Sequence, residues 1–148
     1  MAYTLASNDE ISLVMPDRHR DEYDLYEIVL NSNNEVVGNL KFHYDINNIS
    51  GNIEYEVFEE YRGNNYAKKA LKLFSKNVSK LSDDDIFISI LPNNKASIKT
   101  AIGAGAMLHQ IVEIPKNYIM SEEGKYKYAN MYIIKNDRGI YGKENIKK

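Results

Sequence analysis

Residues 52–67 read Asn52-Ile53-Glu54-Tyr55-Glu56-Val57-Phe58-Glu59-Glu60-Tyr61-Arg62-Gly63-Asn64-Asn65-Tyr66-Ala67. The first seven alternate, with Ile53, Tyr55 and Val57 on one face and Glu54, Glu56 and Phe58 on the other, which predicts a strand. Ala67, Ala70, Leu71, Phe74 and Val78 then fall at helical spacing and predict a helix, with Lys68, Lys69, Lys72 and Lys76 on its remaining surface. The turn between them, Arg62 to Asn65, holds a cation, a Gly without Cβ, and two Asn that tolerate the left-handed region. It opens into a helix start, where unpaired N–H groups and a partial positive charge suit a phosphate or pyrophosphate. Lys68 and Lys69 add positive charge nearby. The plain structural alternative is a helix cap with Gly easing a tight turn. The segment contains neither a Walker loop nor a G-x-G-x-x-G dinucleotide fingerprint.

Outward from this segment, strands are expected at 11–15, 25–30 and 36–44, the last two flanking the polar turn Asn31 to Glu35. Asp17 to Asp24 reads as a charged connector. After the first helix, Ile86-Phe87-Ile88-Ser89-Ile90-Leu91 is the most apolar strand and suits a central position. Pro92-Asn93-Asn94 leads into a second helix from Ala96 to about Ala104, with Gly103-Ala104-Gly105 as its C-cap. Strands at 107–114 and 126–135 and a polar tail complete the chain. The expected fold is α/β: a mixed, mostly antiparallel twisted sheet of about six to seven strands with two main helices. One domain is expected over 1–148, with a core at about 11–135 and a tail at 136–148.

At 148 residues the chain suits one domain that buries roughly 68–70% of its unfolded surface. Lys and Arg number 19 against 21 Asp and Glu, a formal charge of −2. That argues against a general nucleic-acid binder. There is no cysteine, which excludes a disulfide framework, a Cys-ligated zinc and a cysteine nucleophile, and fits a reducing compartment. No apolar run approaches the ~18 residues of a membrane span, and no signal peptide is visible. A cytoplasmic protein with no membrane or nucleic-acid partner and no metal is expected.

Two motifs in register then point to a family. Arg62-Gly63-Asn64-Asn65-Tyr66-Ala67 resembles the [QR]-x-x-G-x-[GA] signature of the Gcn5-related N-acetyltransferase (GNAT) superfamily, with Asn65 where the middle Gly is expected. Pro92-Asn93-Asn94-Lys95-Ala96-Ser97-Ile98 resembles the family's P-x-N-x-x-S-I segment. The resemblance covers nearly all of Leu25 to Lys135 and is nearest to the branch that acetylates ribosomal-protein N-termini and related amines.

The resemblance implies an acetyl-coenzyme A-dependent transferase that moves acetyl directly from the thioester to a primary amine. It also implies the site. Arg62, Gly63, Asn64, Asn65, Tyr66 and Ala67 would take the pyrophosphate. Val57 and Phe58 would offer backbone to the pantetheine amides and the thioester carbonyl. Asn94 and Ser97 would touch the pantetheine arm or simply cap their helix. Tyr118 would protonate the leaving thiolate, with Tyr126, Tyr128 and Tyr132 as competitors. Glu54 or Glu56 would take the amine proton; His43 and His109 are alternative bases, and an ion-paired face opposite Lys41 is the plain reading of the glutamates.

Relatives carry one or two helices between the first strand and the hairpin, where this chain has only Asp17 to Asp24. The acceptor side is therefore expected to be open, completed by a second copy in a homodimer, or altered. The acidic residues Asp21, Glu22, Asp24, Glu54, Glu56, Glu59 and Glu60 favour a cationic acceptor: a small amine or a peptide N-terminus. Two rival readings are a non-catalytic coenzyme A- or partner-binding member of the same fold, and an unrelated phosphate-binding module.

Overall fold

The computed structural model describes residues 2–16, 22–118 and 124–136. Their strands are β1 (Tyr3–Ser7), β2 (Ile11–Met15), β3 (Tyr23–Leu30), β4 (Val36–Asn47), β5 (Gly51–Val57), β6 (Ile86–Ile90), β7 (Met107–Glu113) and β8 (Tyr128–Ile134). Helix α1 (Tyr66–Asn77) joins β5 to β6, and α2 (Lys95–Gly103) joins β6 to β7. All eight strands form one sheet in the order β1-β2-β3-β4-β5-β6-β8-β7. The extended ladders, β1–β2, β2–β3, β3–β4, β4–β5, β6–β8 and β7–β8, are antiparallel.

The expected α/β sheet with two helices is present, with one strand more than the six to seven expected. The additional strand is β1, which buries only Leu5 fully and so carries a weak apolar signal. Its turn was the better clue, because Asn8 Oδ1 accepts from the N–H groups of Glu10 and Ile11 at 2.9 and 2.8 Å. The charged connector is shorter than expected, since Tyr23 and Asp24 already belong to β3; residues 17–21 lie outside the described residues. Most of the expected tail also lies outside them. Asn136, assigned to that tail, is buried instead, and its Nδ2 donates to the carbonyls of Ser82 and Asp84 at 2.8 and 3.0 Å.

Alternation along the strands gives the sheet two apolar faces. On one, Leu71 and Phe74 of α1 pack over Tyr26, Leu40, Phe42 and Ile53. The Phe74 ring lies 5.2 Å from Phe42 and 6.0 Å from Tyr26. The other face carries a smaller cluster of Val112, Ile114, Ala129 and Met131, against which Phe87, Leu91 and Tyr118 pack. Strand β6 divides its side chains between the two, with Ile86, Ile88 and Ile90 on the α1 face. This matches the central place expected for it.

The contact that positions the site lies where β5 meets β6. These strands share the single register pair Gly51↔Ile88. Gly51 has φ +78°, and a Cβ there would stand 2.2 Å from the Phe87 carbonyl oxygen. The adjoining Asn52 is only 1% exposed. Its Nδ2 donates to Asp85 O at 2.9 Å, and its Oδ1 accepts from Phe87 N–H at 2.8 Å. The sheet is thus clamped at the start of β5, while Tyr55 to Val57 continue with β4 alone. Asn52→Leu would remove both side-chain bonds and leave two backbone groups without these partners. Each such loss costs about 1–3 kcal/mol, so the urea unfolding midpoint should fall well below wild type; an unchanged midpoint refutes the clamp.

Candidate active site

The ends of β5 and β6 lead to the starts of α1 and α2, and a cavity of about 530 Å³ lies between these starts and β5. The turn into α1 has the geometry that its residue types allow. Gly63 has φ +93° and Asn65 φ +61°, so Asn65 takes the left-handed conformation in place of the expected Gly. Asn65 starts the helix without a side-chain cap, and its carbonyl accepts the Lys69 N–H at 3.0 Å. No side-chain cap from Asn65 covers the amides of the first turn, and a left-handed residue followed by helical ones makes an anion-binding concavity. Arg62, Gly63, Asn65, Tyr66 and Ala67 all line the cavity.

The two lysines of the first turn have partners of their own. Lys69 Nζ pairs with Glu10 at 2.7 Å, and the Lys68 stem lies against Gly103 of α2. Neither lines the cavity. Arg62 is the cation that does, and its Nε donates to Val57 O at 3.0 Å. That bond ties the turn to the end of β5.

Phe58 N–H donates to Val37 O at 2.9 Å, on the β4 side. Strand alternation then turns the backbone groups of Val57 and Tyr55 to the opposite edge, into the cavity. Val57 lines the cavity, while Phe58 and Asn64 do not; Asn64 Nδ2 donates to Tyr61 O at 3.0 Å. Asn94 caps α2, its Oδ1 accepting the Ser97 N–H at 3.2 Å, yet both residues also line the cavity. The capping and cofactor readings of this pair are therefore compatible. At its other end α2 closes as expected, Ala106 N–H reaching back to Ala101 O at 3.0 Å. Tyr55, Tyr61 and Thr100 line the cavity without having been singled out. Tyr55 was legible only as an apolar position on its strand. Burial pushes its phenol above the usual pKa, so it is neutral at physiological pH.

A second cavity, of about 640 Å³, is lined by Glu22, His43, Asp45, Glu54 and Tyr118, together with the β4–β5 turn. Strand β5 thus contributes to both cavities, and the two glutamates offered as alternative proton acceptors fall in different ones. Glu54 lines the second cavity and Glu56 the first. Glu54 is the cross-strand partner of Lys41, but its carboxylate pairs with His43, Oε2 to Nε2 at 2.6 Å.

The competing tyrosines are placed elsewhere. Tyr132 is buried in the main core, Tyr128 is exposed on β8, and Tyr126 Oη accepts from Asn93 Nδ2 at 2.7 Å. Among these four, Tyr118 is the one that shares a cavity with Glu54. His109 lies edge-on to Phe87 at 5.7 Å on β7 and lines neither cavity. Among the described residues, no group of three or more His, Cys, Asp or Glu could hold a metal ion, and no helix is long and apolar enough to cross a membrane.

Solved structures of three acetyltransferases share this fold. A chimera of the spermidine N-acetyltransferase SpeG from Vibrio cholerae and hSSAT aligns with TM-score 0.64 and 14% identity, over 82% of this chain and 72% of its own. The ribosomal alpha-N-protein acetyltransferase RimL, in complex with coenzyme A, aligns with TM-score 0.62 and 23% identity, over 78% and 63%. The microcin self-immunity acetyltransferase MccE, in complex with acetyl-CoA and AMP, aligns with TM-score 0.58 and 19% identity, over 76% and 61%. No curated protein matches the sequence. The family model described as the acetyltransferase (GNAT) domain matches residues 4–107, and the chain belongs to that family, the N-acetyltransferases that use acetyl-coenzyme A.

Proposed function

We propose that the whole chain acts as one domain that transfers acetyl directly from acetyl-coenzyme A to a primary amine carried by a cationic acceptor. The observation that carries this reading is the pair of cavities sharing β5. One is built around the amides of the α1 start, the other around carboxylates. In this reading the first holds the pyrophosphate on Gly63, Asn65, Tyr66 and Ala67 and the pantetheine against Val57, Asn94 and Ser97. The acetyl group lies where β5 leaves β6.

The second cavity takes the acceptor. Glu22, Asp45 and Glu54 offer negative charge to an ammonium, and Glu54 takes its proton. Tyr118 protonates the leaving sulfur. With no cysteine in the chain, no thiol can hold the acetyl group covalently, which supports a single displacement. Spermidine and a protein α-amino group, the acceptors named for two of the similar structures, are both amines. They are the first to screen, along with an amine that carries a carboxylate. Only residues 16–22 join β2 to β3, which favours an open acceptor side or one closed by a second copy.

Calorimetric titration tests the first cavity. Arg62→Ala loses the bond to Val57 and a cation, and should weaken acetyl-coenzyme A binding by about tenfold or more; unchanged affinity rejects the loop assignment. Turnover tests the second. Tyr118→Phe should lower kcat by roughly ten- to hundredfold with little change in KM for the cofactor. A wild-type rate for this variant rejects Tyr118 as the acid. Preference for the carboxylate-bearing amine would reject the cationic-acceptor reading. Tight cofactor binding without turnover of any amine would favour the alternative, a non-catalytic coenzyme A-binding member of the family.

A further inference from the structure

On the sheet face away from α1, Tyr23 of β3, Lys41 and His43 of β4, and Glu54 of β5 form one row, with Tyr23↔His43 and Lys41↔Glu54 as cross-strand partners. Cross-strand charge pairing alone would join Lys41 to Glu54. The side chains are arranged otherwise. Lys41 Nζ lies over the Tyr23 ring, 5.2 Å from its centroid, and the His43 ring lies 5.2 Å from the same ring. His43 Nε2 then meets Glu54 Oε2 at 2.6 Å.

An ionised carboxylate only accepts, so Nε2 carries the hydrogen in this bond. The imidazole is held between an aromatic ring on one side and a carboxylate on the other. The His43 side chain is 32% exposed and that of Glu54 59%, so the carboxylate is the group that a molecule in the cavity meets first. A carboxylate this exposed on a strand is free to change rotamer unless something fixes it; a short charge-assisted bond does so.

We propose that His43 is a positioning residue of the transfer reaction. It fixes Glu54 through Oε2 and leaves Oε1 to take the proton of the bound ammonium. The inference rests on the reading of this cavity as the acceptor site. In the step concerned, the acceptor ammonium gives one proton to Glu54 and becomes a neutral amine. Its nitrogen lone pair forms the C–N bond at the thioester carbonyl as the C–S bond breaks, and the electron pair leaves on sulfur. The second nitrogen proton balances the one that sulfur gains, and Glu54 returns its proton to water. His43 makes no bond to the reacting atoms.

Steady-state kinetics of wild type, His43→Leu, His43→Gln, Glu54→Gln and the double variant His43→Leu/Glu54→Gln test this, with spermidine and a short peptide bearing a free α-amine as acceptors. The expected result has three parts. His43→Leu lowers kcat by about tenfold or more with KM for acetyl-coenzyme A within about twofold. His43→Gln, whose amide N–H can still reach Glu54, restores most of that loss. The double variant is no slower than Glu54→Gln alone, because the two residues act as a unit.

A normal kcat for His43→Leu beside a slow Glu54→Gln overturns the role of His43 and leaves the acceptor cavity standing. Gln failing to improve on Leu, or additive losses in the double variant, also overturns it. Wild-type rates for both Glu54→Gln and His43→Leu, or no turnover of either amine by wild type, overturn the acceptor-cavity reading and the inference with it.

Discussion

Everything at the site depends on one clamp between β5 and β6. The Asn52 carboxamide replaces strand ladder bonds with two of its own, to Asp85 O and Phe87 N–H. Gly51 allows the backbones to approach at that point, where a Cβ would collide with Phe87 O. A fully zipped sheet would use the backbone groups of Tyr55 and Val57 in pairing and leave no opening. A sheet without the clamp would not hold the starts of α1 and α2 in fixed relation. Clamped at one end only, β5 keeps its outer edge available and remains rigid through its ladder with β4.

The same strand separates two chemistries. On the α1 side, backbone amides, Arg62 and helix starts form a cavity suited to anions. On the other side, carboxylates, His43 and Tyr118 form one suited to a cation. Glu54 and Glu56 share a sheet face, so the division runs along β5: Gly51 and Glu54 line the second cavity, and Tyr55 to Val57 the first. The small net charge of −2 conceals this division.

The helix-start loop was readable from residue types alone. Gly63, Asn64 and Asn65 all tolerate positive φ; Gly63 and Asn65 adopt it, so the replacement of the middle Gly by Asn65 preserves the turn. Asn94 and Ser97 were equally legible, because an Asn three residues before a Ser at a helix start is a capping pattern. The spacing of Ala70, Leu71 and Phe74 likewise named the buried face of α1, to which the structure adds Leu73; Val78, also buried, follows the helix. The partners of Lys68 and Lys69 were not legible, because a charged residue's partner depends on what packs beside it; Glu10 and Gly103 lie far away in sequence. Strand β1 was missed for a different reason, since one buried leucine does not make a periodic pattern.

The sequence by itself determined the local geometry: which segments alternate, which residues can take left-handed backbone, and which side chains cap a helix. These depend on a residue and its near neighbours. Only the tertiary structure decided the insertion of β8 between β6 and β7, the clamp at Asn52, and the placing of Glu54 with Tyr118 in one cavity and Glu56 in another. Each of these is set by contacts between segments 30 or more residues apart or by the sheet's order, and no local pattern encodes them. The Glu54 carboxylate shows the difference most directly: its cross-strand partner is Lys41, yet the packing of Lys41 on Tyr23 leaves it to His43.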